Sequence, residues 1–151
     1  MGKTIGLTYD LKSDWKLQSG EPIDSNAEFD GPKTLENISD ALESGGHKVK
    51  KIGNVKNLLG WIDDLEVDLI FNICEGRHGR NRESQVPLIL EMYGIPFVGS
   101  DALTMGITLD KVIAKKCFIA DDIPTARYFK ADTGDDLKKL NTIGFPLMVK
   151  N

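Results

Sequence analysis

Four strand-like runs separated by three amphipathic segments constrain this chain more than any other feature. The runs are residues 3–9, 47–52, 67–74 and 95–100, and the segments between them include 32–46, 54–65 and 83–94. Strands joined through helices rather than tight turns lie parallel, because a parallel crossover takes a dozen or more residues. The alternation predicts an α/β fold: a four-stranded parallel sheet with helices on both faces. Within 32–46, Leu35, Ile38, Ala41 and Leu42 form one stripe, Pro32 suits the first turn and Gly45-Gly46 supplies the stop. Val55, Leu58, Leu59, Ile62 and Leu65 share a face of the next helix. Lysines alternate along 47–52, which suits a sheet edge, whereas 67–74 is the most apolar run and suits the centre.

The character changes after Ser100. A helix is predicted over 108–122 with Leu109, Val112, Ile113 and Cys117 inward, then a loop and strand over 123–131, a capped helix over 133–144 and a strand over 145–151. A piece this short is marginal for a core of its own. Residues 1–105 are therefore expected to form one domain, and 106–151 the opening of a second, incomplete one.

Composition excludes several classes. With 19 basic and 23 acidic side chains the net charge is −4, which argues against a general nucleic-acid or anionic-membrane binder. No apolar run is long enough to span a membrane, and the first residues begin a strand, so a cytoplasmic protein is expected. Cys74 and Cys117 lack metal-ligand spacing and read as buried, inert thiols. No phosphate-binding P-loop or GxGxxG occurs.

Two loops carry the candidate chemistry. In a parallel sheet the loops leaving the strand carboxyl ends share one rim, where ligands sit. The long loop 10–31 and the charged loop 75–83 should meet there. The first offers Asp10, Asp14, Asp24, Glu28 and Asp30; the second offers Glu75, Arg77, His78, Arg80 and Arg82. Carboxylates hold an ammonium, and arginines hold a carboxylate or phosphate through paired hydrogen bonds. A small zwitterion, or an amine and a carboxylate, fits such an edge. Trp15 serves either as a lid side chain or as an anchor for the long loop.

Three segments in register resemble the D-alanine–D-alanine ligases of the ATP-grasp superfamily. "VPLILEMYGIPFVGS" (86–100) resembles LLELLGIPYTGS, "TLDKVIAKKCFIADDIPT" (108–125) resembles the family's MDK…K…AAGIPT, and "IGFPLMVKN" (143–151) resembles LGFPVIVKP. The resemblance implies a pre-ATP-grasp domain followed by the first part of an ATP-grasp domain. It implies an ATP-dependent ligase that joins a carboxylate to an amine through an acyl phosphate, with magnesium. By the same resemblance Lys111 and Lys150 reach the ATP phosphates, and Glu28 stands where the family's ammonium-binding glutamate precedes the first helix. The magnesium ligands and the catalytic arginine are expected downstream, no catalytic residue within this chain, and the chain alone is not expected to catalyse.

The family's HGxxGEDG loop is replaced by "EGRHGRNRE", with Glu75 for its histidine and Arg80 for its glutamate. A different amino- or carboxyl-bearing substrate is therefore expected at Glu28, Glu75, Arg77 and Arg80. The family often dimerises through its first domain, so a homodimer is expected. A non-enzymatic module that binds a small zwitterion or a protein partner would suit the same rim.

Overall fold

The computed structural model describes residues 2–149. It divides into two compact units, Met1–Leu109 and Asp110–Asn151.

The first unit is built on four parallel strands: β1 (Thr4–Tyr9), β2 (Lys48–Gly53), β3 (Leu69–Ile73) and β4 (Phe97–Val98), in the order β2-β1-β3-β4. The lysine-bearing strand lies at an edge and the most apolar one lies inside. Three helices make the crossovers: α1 (Pro32–Ser44), α2 (Val55–Trp61) and α3 (Gln85–Met92). Pro32 opens α1, and Gly46, at φ 82°, turns the chain back toward β2. The Asn54 side chain accepts hydrogen bonds from the Lys56 and Asn57 amides and starts α2.

Alternation along the strands sorts the core into two layers. Gly6 and Ile70 are register partners and face the same side, where Ile52, Leu58, Ile62, Val86 and Leu90 pack together. A Cβ at Gly6 would stand 2.7 Å from the Ile52 Cδ1 and run into the Ile70 side chain, so a larger residue here would displace both isoleucines. Ile5 and Leu7 point to the opposite face and are fully buried, as is Leu35 of α1. The α/β fold with a four-stranded parallel sheet is thus as the sequence predicts.

Several local expectations give way. Leu59 is exposed, while Leu58 and Ile62 are buried and Val55 and Leu65 pack partly buried against the core. β4 is shorter than 95–100, since Pro96 has no amide to donate, although its carbonyl accepts from the Ile70 amide at 2.8 Å. A further helix, α4 (Ala102–Leu109), lies where none was assigned, and the Asp101 carboxylate accepts from the Thr104 amide at 2.7 Å at its start.

In the second unit, α5 (Lys111–Ala120) begins at Asp110, whose carboxylate accepts from the Val112 and Ile113 amides at 3.0 Å. The predicted single helix over 108–122 is therefore two helices divided between the units. Thr133 and Asp136 form a reciprocal capping box, but the segment they start, Gly134–Thr142, is a 3-10 helix. Residues 123–131 and 145–149 form no ladder among the described residues; a strand exists only through its neighbour's hydrogen bonds. No helix among the described residues is long and apolar enough to cross a membrane.

Candidate functional site

The carboxyl ends of β1 and β3 are adjacent, with Tyr9 in register with Ile73. The two loops that leave them are joined by side-chain links. Asp10, buried just past β1, accepts from the Gly76 amide at 2.9 Å through Oδ2 and from the Trp15 indole at 3.2 Å through Oδ1. Arg77 Nη2 donates to both carboxylate oxygens of Glu21, at 2.8 and 2.9 Å. Arg82 Nη2 donates to Glu28 at 2.8 Å. The shared rim expected from parallel-sheet geometry exists.

Loop 75–83 can take this path because of a glycine. Gly76 has φ 68°, and a Cβ there would stand 2.5 Å from the Arg82 carbonyl oxygen. Only glycine permits both the left-handed backbone and that approach. Beneath the loop, Asn72 Oδ1 accepts from the Thr8 hydroxyl at 2.9 Å and the Cys74 amide at 3.1 Å. Cys74 is buried, and burial, reinforced by the nearby Asp10 charge, holds its thiol far above the ordinary range. It is the inert thiol the sequence suggests. Cys117 is half-buried.

The Arg77 side chain is only 9% exposed. Its guanidinium lies 5.4 Å from the centre of the Trp15 ring, a cation–π contact that stabilises more as it is desolvated. Nη2 serves Glu21, while the buried Nη1 has no hydrogen-bond partner within the described protein. The Glu21 carboxyl is held below its usual range by the Gln18 amide and by Arg77.

The carboxylates behave differently. Glu75 is half-buried, and its pKa is pushed up to about 7. Burial is the main cause, followed by the negative charges of Glu83 and Glu28 and a hydrogen bond with Glu83; Arg82 pulls the other way. Glu75 thus lies close to its own midpoint at neutral pH. Strongly shifted carboxyls beside a specific charge partner are frequent in functional sites.

Of the sequence-predicted site residues, Glu28 and Arg77 lie in the inter-loop links, and Glu75 shares its electrostatic cluster with Glu28. Arg80 is exposed on the same loop. His78 is exposed and its carbonyl accepts from the Gln85 side chain at 2.8 Å. Lys111, in the other unit, is the exposed first residue of α5. Lys150 lies outside the described residues. Sequence reasoning missed Glu21 and Glu83, and it gave Asp10 no role beyond its charge. Among the described residues no three His, Cys, Asp or Glu side chains converge as metal ligands would.

The chain is similar to known proteins. The D-alanine–D-alanine ligase of Pseudomonas putida strain GB-1 is 35% identical over 114 residues, covering 75% of this chain and 35% of that protein. The D-alanine–D-alanine ligase of Xylella fastidiosa is 27% identical over 118 residues, covering 76% of this chain and 39% of that protein. The chain is related to the D-alanine–D-alanine ligases. It spans less than two-fifths of the length of these two ligases. The fold agrees: the crystal structure of the D-alanine–D-alanine ligase from Bacillus anthracis superposes with a TM-score of 0.56 at 23% identity. That match covers 97% of this chain and 44% of the other. No family model matches the chain.

Proposed function

We propose that this chain supplies the substrate rim and part of the nucleotide site of a cytoplasmic ATP-dependent carboxylate–amine ligase. The first unit is the substrate domain and the second the opening of the ATP-grasp domain. ATP with magnesium converts a carboxylate to an acyl phosphate, and an amine then displaces the phosphate. The residues here hold and orient the reactants. Glu28 and Glu75 receive an ammonium group. Arg77, through the Nη1 that Glu21 leaves unused, and Arg80 receive a carboxylate. Lys111 and Lys150 neutralise phosphate charge.

The supporting observation is the meeting of loops 10–31 and 75–83 on one rim of a chain related to these ligases. Glu75 and Arg80, which replace a histidine and a glutamate of the family's loop, point to an amino- and carboxyl-bearing substrate other than D-alanine. The reading includes a homodimer.

ADP release by the protein from its natural source, supplied with ATP, magnesium and a panel of amino acids and carboxylates, tests the reading. Release that depends on an amine and carboxylate together supports it; no substrate-dependent release across the panel contradicts it. In the responsive case, Arg80→Ala should raise the substrate's apparent KM on the order of tenfold and leave that of ATP nearly unchanged. Equal effects would remove Arg80 from the rim.

A further inference from the structure

Residues 11–30 have little regular structure, yet they are closed on themselves. The Lys12 amide donates to the Asp30 carbonyl at 3.0 Å, and the Asp30 amide donates to the Asp10 carbonyl at 3.1 Å, so the ends of the segment meet in a narrow neck. Inside it, Trp15 packs on Phe29 with ring centres 6.0 Å apart, and Phe29 is buried. Consecutive turns are held by the amides of Ser25, Ala27 and Phe29, which donate to the carbonyls of Pro22, Asp24 and Asn26. The segment is built in the manner of an Ω-loop but is longer: compact in itself and joined to the fold at its base.

Above the neck, two charged pairs tie the segment to loop 75–83. They are unequal. In Arg77–Glu21 the guanidinium is buried beside Trp15 and its Nη2 reaches both oxygens of a Glu21 that is 30% exposed, whereas Glu28 of the Arg82–Glu28 pair is 65% exposed. An exposed pair contributes little, while a pair whose guanidinium is desolvated contributes more. The inner pair is therefore the latch. Glu28 rides on the strap itself, so its place beside Arg82 and Glu75 depends on the strap being shut.

We propose that residues 11–30 are a strap, latched by Glu21 on Arg77, whose closure carries Glu28 into the rim formed by Glu75, Arg82 and Glu83. The strap is thus a positioning device: an open strap leaves the rim without the carboxylate from the first loop. That the rim so completed receives the substrate's ammonium rests on the proposed ligase reading; the closure itself does not.

Amide hydrogen exchange on the chain, without ATP or substrate, tests closure independently of any ligation. Glu21→Gln and Arg77→Met should each accelerate exchange at Ser25, Ala27 and Phe29 by on the order of tenfold or more, with the amides of β1 and β3 unchanged. The double variant should go no further than the faster single one, since both remove one interaction. In Glu21→Gln the Glu75 carboxyl should also titrate lower than in the parent, because Glu28 withdraws with the strap. Unchanged exchange in both single variants overturns the latch. Faster exchange with an unmoved Glu75 titration overturns the delivery of Glu28. Acceleration spread equally over β1 and β3 also contradicts the proposal, because the strap would not be opening on its own. Loss of ligase activity in the natural protein with normal closure would count against the ligase reading and leave the strap intact.

Discussion

Two irregular stretches of this chain, 11–30 in the first unit and 121–133 in the second, contrast in what fixes them. The first places its polar groups on partners far along the sequence: Asp10 at its base on Gly76, Glu21 on Arg77, Glu28 on Arg82. It also buries Phe29. The second is held more locally, through Lys115, which donates to the Thr125 hydroxyl and the Ala126 carbonyl at 2.8 Å and lies 5.4 Å from the centre of the Tyr128 ring. Ile123 stays 49% exposed. A segment without secondary structure is specified more strongly when its backbone and charges meet partners across the fold than when they meet neighbours.

The sharpest way to break the contrast is at Asp10. Asp10→Ala leaves the buried Gly76 amide and the Trp15 indole without their acceptor and should destabilise the first unit by about 2–4 kcal/mol in chemical denaturation. A loss below ~1 kcal/mol would mean the two loops do not depend on it. Gly76→Ala comes next, at about 2–3 kcal/mol, from the left-handed backbone and the approach to the Arg82 carbonyl. An unchanged denaturation midpoint would show that the backbone adapts.

pH separates the carboxylates. Glu75, raised in the folded chain, contributes stability below its ordinary pKa, and that contribution is lost as pH rises through about 7. Glu21, lowered, contributes above its ordinary pKa and loses that contribution as pH falls through its folded value. Thermal melts from pH 5 to 8 should therefore show Glu75→Gln gaining on the parent as pH rises. A constant difference would contradict the raised pKa. The smallest effect belongs to the second region. Lys115→Met should change stability by less than about 1 kcal/mol, since it removes a partly exposed tie. A larger loss, measured in the same denaturation experiment, would erase the distinction between the two stretches.

Much of the frame was legible because its causes are local or periodic. Pro32 and Gly46 mark the ends of α1, alternating lysines mark β2 as an edge, and the apolar run at 69–73 marks an inner strand. The meeting of the loops was legible from topology alone, since consecutive parallel strands send their outgoing loops to one end. The partners within the rim were not. Glu21 and Arg77 are separated by 56 positions, and nothing near either names the other. The Glu75–Glu83 hydrogen bond depends on how the chain enters α3. Helix α4 escaped because Gly106 and the β-branched Thr104, Ile107 and Thr108 weaken its helical signal, although Asp101 ahead of it is a cap signal that could have revealed it. The division at Asp110 carried the same signal, since its side chain caps α5.

The rim's existence as one electrostatic unit is tested most directly by carbon-13 NMR titration of the Glu75 carboxyl in the parent chain and in Glu28→Gln. The parent should titrate near pH 7, and the variant lower, because an anion from the distant loop is removed and Arg82 is released toward Glu75. The same titration in both proteins would contradict the account, for it would mean that the first loop and the third do not share a site.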